Sequence, residues 1–138
     1  QKGTIAVNAK SGTVAWKNQD KSYEQSLLAH DGFVYALNDA GIAICWRASD
    51  GEEMWKERLG GPVSASPLLI GDTIYTSNER GQHFVFKANP QRFEAVAKNQ
   101  LGDESFATPA ISGDRLFVRA AKSQSGKRQE TIYCFRGS

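Results

Sequence analysis

Short apolar runs alternate with turn-forming Gly, Asp, Asn and Ser along the whole chain. Three of these runs follow a Gly/Asp turn and are rich in β-branched and aromatic residues, which is typical of the start of a β-strand. They are residues 33–35, 73–75 and 115–117. Along most of the chain Gly or Pro recurs before a run of twelve residues, which disfavours long amphipathic helices. The pattern therefore predicts an all-β protein.

The strand pattern repeats with a period of about forty residues. Val34 and Ile74 are 40 residues apart, Ile74 and Leu116 are 42 apart, and Trp16 and Trp55 are 39 apart. Each repeat contains four short strands, and four strands in about forty residues predict the blades of a β-propeller. The predicted antiparallel blade pieces are residues 1–20, 21–59, 60–101 and 102–138.

The predicted strands do not add up to a closed ring. The four pieces contain two, four, four and three strands, which makes just over three blades, whereas propellers close with about four to eight. The chain also begins with Gln1 and has neither an initiator Met nor a signal-like apolar run. We therefore expect a fragment of a longer propeller, completed by its own remaining blades or by another chain. Self-association through open blade faces is a further expectation.

Composition and charge exclude several classes of protein. The chain has 138 residues, of which 40% are hydrophobic, and a net charge of +2, which argues against disorder. No apolar run reaches the length of a membrane-spanning helix. The basic excess near the C-terminus is too small for a nucleic-acid-binding surface. The extra residues of the last repeat, 122–129, instead predict a long, solvated hairpin tip.

The sequence contains no recognisable catalytic or metal-binding constellation. Cys45 and Cys134 occupy the same position in repeats separated by one full blade, so we expect them about 20 Å apart and unable to form a disulfide. His30 and His83 fall at different positions of the repeat and have no evident triad partners. No zinc-ligand spacing, nucleophile elbow or phosphate-binding Gly loop is present.

Two elements share an Ala, a Gly and a Trp at the same spacing, and they carry a family resemblance. They contain Ala9, Gly12 and Trp16 in the first copy, and Ala48, Gly51 and Trp55 in the second. Both resemble the Ala-x-Asp-x-x-Thr-Gly-x-x-x-Trp signature of pyrroloquinoline-quinone-type (PQQ-like) propeller repeats. The copy that begins at Ala88 has lost both Gly and Trp. The WD40 signature, which would be the alternative at this period, is absent.

The resemblance implies both a packing role and a range of functions. In PQQ-like propellers the Trp docks one blade onto the next by stacking on neighbouring backbone. The family includes BamB-like assembly proteins as well as quinoprotein dehydrogenases, so the fold alone does not decide the function. The dehydrogenases carry adjacent cysteines over the quinone and a Ca²⁺-binding Asp, and no Cys-Cys pair occurs here.

We therefore predict a non-enzymatic propeller scaffold that binds a protein partner and holds no cofactor. The resemblance favours a periplasmic or secreted location, in the bacterial envelope. One alternative is part of a quinoprotein dehydrogenase whose PQQ- and Ca²⁺-binding residues lie outside this chain. Another is a carbohydrate-binding module, in which Trp46 would stack on a sugar ring. The other interpretation of Trp46 is packing between blades.

Overall fold

The computed structural model describes residues 3–136, and every regular element in this part of the chain is a β-strand. Most strands are three to six residues long, and the last two have ten residues each. The strands are β1 (Ile5–Val7), β2 (Val14–Lys17), β3 (Leu28–His30), β4 (Phe33–Leu37), β5 (Ile42–Arg47), β6 (Glu53–Arg58), β7 (Leu68–Ile70), β8 (Thr73–Ser77), β9 (Gln82–Lys87), β10 (Ala95–Gln100), β11 (Ala110–Ser112), β12 (Arg115–Gln124) and β13 (Lys127–Arg136).

The strands form four antiparallel sheets in which every strand pairs with its neighbour in sequence. Sheet I contains β1 and β2, sheet II contains β3 to β6, sheet III contains β7 to β10, and sheet IV contains β11 to β13. These are the two, four, four and three strands that the repeat predicts. The prediction of an all-β fold built from four-stranded antiparallel units is confirmed.

In sheets II and III the order of Gly and Asp selects the turn that joins the first two strands. In sheet II both residues of the Asp31-Gly32 turn have positive φ, at 47° and 81°. This is the requirement of a type I′ hairpin turn. In sheet III the order is Gly71-Asp72, and among these two only Gly71, at 60°, has positive φ. That arrangement is typical of a type II′ turn, and both types match the twist of the strands.

The largest apolar core lies between sheets II and III. Tyr35 and Cys45 on sheet II face Ile74 and Phe86 on sheet III, and all four are at most 2% exposed. The Trp55 ring packs edge-on against Phe86, with a centroid separation of 6.3 Å. Burial raises the pKa of the Cys45 thiol to about 11, so it packs as a neutral apolar group. Burial of these side chains holds the two sheets together.

The two motif tryptophans each reach from the last strand of one sheet to a turn of the next. The Trp16 indole Nε1 donates to the Ala48 carbonyl at 2.8 Å, and Trp55 Nε1 donates to the Asn89 carbonyl at 2.8 Å. A Cβ built on Gly51 would lie 2.6 Å from the Trp16 ring, so the ring lies directly on the Gly51 backbone. We propose that these contacts dock sheet I onto sheet II and sheet II onto sheet III.

Two other residues of the motif, Ala9 and Gly12, and the nearby Trp46 differ in their exposure to solvent. Ala9 and Gly12 are exposed in the turn between β1 and β2. Apart from its two chain neighbours, no residue in the described part of the chain lies within 4 Å of a Cβ built on Gly12. Trp46 is 1% exposed, and its ring centroid lies 6.3 Å from that of Trp16. Its surroundings are those of a packing residue, and no observation supports a sugar-stacking role.

A buried asparagine fastens the turn between β8 and β9. The Asn78 amide nitrogen donates to the Gly60 carbonyl at 2.9 Å and to Gln82 Oε1 at 2.8 Å. Its Oδ1 accepts from two backbone N–H groups of the turn, at 3.0 and 3.1 Å. Asn38, 40 residues earlier, accepts two equivalent bonds at 3.0 Å. Among the described residues its amide nitrogen donates no hydrogen bond.

Replacing Gly51 with Ala tests the proposed docking contact. Gly12 and Gly51 have similar φ values, 70° and 76°, and only the Gly51 position carries an indole ring. We expect Gly12→Ala to cost about 1–2 kcal/mol of the free energy of unfolding, from the left-handed backbone alone. Gly51→Ala should cost a further ~1–3 kcal/mol because Trp16 must move. Urea unfolding measures both, and equal losses would contradict the docking role.

The Asn78 bridge is tested by an Asn-to-Asp pair. Asp retains the acceptor oxygens but cannot donate to the Gly60 carbonyl. We therefore expect Asn78→Asp to lower the free energy of unfolding by about 2–3 kcal/mol. Asn38→Asp, the matched control, should stay within about 0.5 kcal/mol of the unsubstituted chain. Thermal or urea unfolding at pH 7 provides the comparison, and similar losses in both variants would be inconsistent with the bridge.

Candidate functional site

One end of the sheets carries all the segments that link one sheet to the next. These segments pack beside the turns that join the second and third strands of each sheet. We call this surface the loop end. It consists of residues 18–27, 38–41, 59–67, 78–81 and 101–109, together with the far part of the β12–β13 hairpin, residues 121–130.

Backbone hydrogen bonds join the loop-end segments from residue 38 onward into a continuous layer. In sheet II the Leu59 N–H donates to the Gly41 carbonyl at 2.9 Å, and in sheet III the Leu101 N–H donates to Gly81 at 2.9 Å. These bonds attach each linking segment to the turn of its own sheet. Glu79, in the turn between β8 and β9, connects two successive linking segments. Its N–H donates to the Pro62 carbonyl at 2.8 Å, and its carbonyl accepts from the Ser105 N–H at 3.2 Å.

The β12–β13 hairpin projects from this layer. Its strands pair without a bulge from Arg115↔Arg136 to Gln124↔Lys127. The corresponding strands of sheets II and III are five and six residues long. The pairs beyond Ala121 extend the hairpin by about 10 Å at the usual rise of a strand. The predicted hairpin tip is therefore a regular two-stranded ribbon that ends in a Ser-Gly turn.

The linking segment before sheet IV fixes the base of the hairpin. The Asp103 N–H donates to the Ala121 carbonyl at 2.7 Å, and the Ala121 N–H donates to the Glu104 carbonyl at 2.8 Å. The Asp103 carboxylate accepts from the Ser123 N–H at 2.8 Å. The Glu104 carboxylate accepts from Arg128 Nε at 2.8 Å. These bonds position the ribbon relative to the loop end.

Exposed aromatic and charged side chains give the loop end the composition of a protein-binding surface. Tyr23 is 85% exposed and Phe106 is 50% exposed, although large aromatic side chains are usually buried. Phe106 lines a cavity of about 180 Å³ at the base of the hairpin, together with Arg119 and Arg128. Aromatic residues and Arg are enriched in protein–protein interfaces.

The described residues contain no metal centre and no membrane-spanning helix. Within residues 3–136 no three His, Cys, Asp or Glu side chains converge as metal ligands. No helix in this range is long and apolar enough to cross a membrane. Cys45 and Cys134 are both free thiols, which confirms that they do not bridge. The PQQ and Ca²⁺ alternative concerns residues outside this chain and stays a prediction.

The loop-end aromatics are functional candidates that the repeat did not identify. The repeat emphasised Ala9, Gly12, Trp16 and their later copies, which lie at sheet-to-sheet contacts and in turns away from the loop end. Tyr23 and Phe106 lie outside the repeated strands, so no periodic signal marks them. The sequence feature that could have identified them is an aromatic residue within a polar linking segment, where no core position is expected.

Comparison with solved structures identifies the fold. The chain is similar to the crystal structure of BamB from Moraxella catarrhalis, with a TM-score of 0.74 and 13% sequence identity. The match covers 97% of this chain and 38% of that chain, so the present chain spans well under half of its neighbour. At this identity the likeness shows the fold, which is that of a β-propeller fragment. No curated protein matches the sequence.

Comparison with family profiles gives the family itself. The profile described as "Outer membrane protein assembly factor BamB" matches residues 1–90, about two thirds of the chain. The match includes both copies of the Ala, Gly and Trp motif, and it confirms the resemblance that these residues carry in the sequence. The chain therefore belongs to the PQQ-like, BamB-like family of β-propeller repeat proteins.

Proposed function

We propose that this chain is a scaffold segment of a bacterial-envelope propeller and that it binds a protein partner through its loop end. The description of its family, an outer membrane protein assembly factor, supports an assembly role that depends on protein contacts. The structural neighbour has the same fold and is itself named BamB. The partner would be a folded or extended protein segment rather than nucleic acid.

The braced β12–β13 hairpin is the observation that carries the proposal. A ribbon of this length is not needed to complete the sheet, because the equivalent strands of sheets II and III are about half as long. Five hydrogen bonds between the hairpin and Asp103 and Glu104 nevertheless hold its base. A projecting element that is fixed in this way presents a defined surface to a partner.

The rigidity of the loop end supports binding on energetic grounds. Association costs free energy for every side chain and loop that must become ordered. At the loop end the backbone is already joined by hydrogen bonds, and the buried Asn78 amide fastens one of the turns. Binding would therefore order few groups beyond exposed side chains. Tyr23 and Phe106 supply apolar area with few rotatable bonds, as binding hot spots commonly do.

Site-specific photocrosslinking in the whole protein, inside the cells that make it, tests the partner and its surface. A photoreactive residue at Phe106 or Lys122 should give a discrete protein adduct, because both positions lie on the loop end. Ser49 and Gln91 are exposed turn residues at the opposite end and serve as controls. We also expect Phe106→Ala to weaken the adduct at Lys122 about tenfold, the effect of one hot-spot side chain. Equal adducts from both ends, or none from the loop end, would overturn the proposal.

A dehydrogenase assay separates the scaffold from the quinoprotein alternative. The whole protein is supplied with PQQ and Ca²⁺, and alcohol- or sugar-dependent dye reduction is followed. If the protein is a scaffold, adding substrate should not raise the rate of dye reduction above the rate with the cofactor alone. Saturable dye reduction would support a quinoprotein enzyme.

A further inference from the structure

The two faces of sheet III meet their neighbours differently: an apolar core joins it to sheet II, and a cavity lies on the side of sheet IV. This cavity has a volume of about 440 Å³. Its walls include Tyr75, His83 and Val85 from sheet III and Leu116, Val118 and Phe135 from sheet IV. None of the residues that line it carries a charged side chain. The cavity is thus a largely apolar space between sheets III and IV, whereas sheets II and III meet through an apolar core.

Sheet III carries polar residues at two positions where sheet II carries apolar ones. Leu37 and Ala43 on sheet II have their counterparts 40 residues later in Ser77 and His83 on sheet III. Leu37 and Ala43 belong to the apolar core between sheets II and III. Their counterparts on sheet III are polar, and they face sheet IV. The Ser77 hydroxyl accepts a hydrogen bond from the Ser105 hydroxyl at 3.4 Å, so this polar group is satisfied.

The His83 side chain is buried without a partner. The residue is 7% exposed, and its Nε2 atom has no hydrogen-bond partner among the described residues. Desolvation lowers the pKa of His83 below its usual value, so the imidazole is neutral at pH 7. A neutral imidazole has one N–H donor and one acceptor nitrogen. A buried polar atom without a partner is costly, which makes it a strong point of attachment for a ligand.

We propose that this cavity binds a small, neutral, flat molecule that is mainly apolar and exchanges one hydrogen bond with His83. The volume lies within the range of small-molecule sites, about 300–1000 Å³. The uncharged lining disfavours an ionic ligand, because no opposite charge would compensate its desolvation. Tyr75 and Phe135 provide aromatic surface for a flat ring. Two of its lining residues, Leu101 and Pro109, belong to the loop end, but the site does not depend on the proposed scaffold function.

The burial of His83 also makes stability depend on pH. Because the pKa is lower in the folded chain than in the unfolded chain, the unfolded state binds more protons as the pH falls below about 6.5. Stability is therefore lost on acidification and regained on return to pH 7.5. We expect the urea midpoint to fall between pH 7.5 and 5.5, and to fall less in His83→Gln than in the unsubstituted chain. An identical fall in both would contradict the burial of a neutral His83.

Histidine NMR with phenol as the probe tests the ligand site directly. The chain contains only two histidines, so labelled imidazole signals report His83 and provide His30 as an internal control. Phenol should shift the His83 signals saturably and leave those of His30 unchanged. Benzene, which lacks the hydroxyl, should bind about tenfold more weakly, the fold-change expected for one hydrogen bond.

Two variants decide whether the probe occupies the cavity. His83→Gln should weaken phenol binding, measured by the phenol protons, by up to about tenfold. Val85→Phe fills part of the cavity and should abolish the saturable shift of His83, while an unchanged His30 signal shows that the chain is folded. A linear shift, equal shifts at both histidines, or saturable binding that survives Val85→Phe would each overturn the proposal.

Discussion

The need to bury both faces of each twisted four-stranded sheet is the constraint on which the rest of this structure depends. A sheet of this size is stable only when neighbouring sheets cover its apolar side chains. Sheets II and III meet this need through Tyr35, Cys45, Ile74 and Phe86. The indole of Trp16 adds a directional contact, because it both lies on the Gly51 backbone and donates a hydrogen bond across the interface.

The same repeated scaffold produces interfaces of different character along the chain. The interface between sheets II and III is apolar and continuous. Between sheets III and IV, Ser77 and His83 stand where Leu37 and Ala43 stood one repeat earlier, and a cavity lies there. On the far face of sheet IV, Arg119 occupies the position equivalent to Leu37. The architecture tolerates these changes because backbone pairing within each sheet does not depend on them.

The loop end shows how the repeat positions residues that are not themselves repeated. The hydrogen bonds from Leu59 to Gly41 and from Leu101 to Gly81 recur because the strands that precede them have the same lengths. This regular frame sets the position of the irregular segments that carry Tyr23 and Phe106. It also anchors a hairpin whose extra length has no counterpart in sheets II and III. Binding features on such loops can change without loss of the fold.

The sequence by itself determined the strands, their grouping into units of two, four, four and three, and the family. These features follow from the alternation, turn residues and motif spacing of neighbouring positions, which are read directly along the chain. Only the tertiary structure showed that Phe106 is exposed, that the hairpin base is braced, and that His83 is buried without a partner. These properties depend on which side chains from different sheets and linking segments come to face each other. That pairing arises when the sheets stack, and local pattern does not encode it.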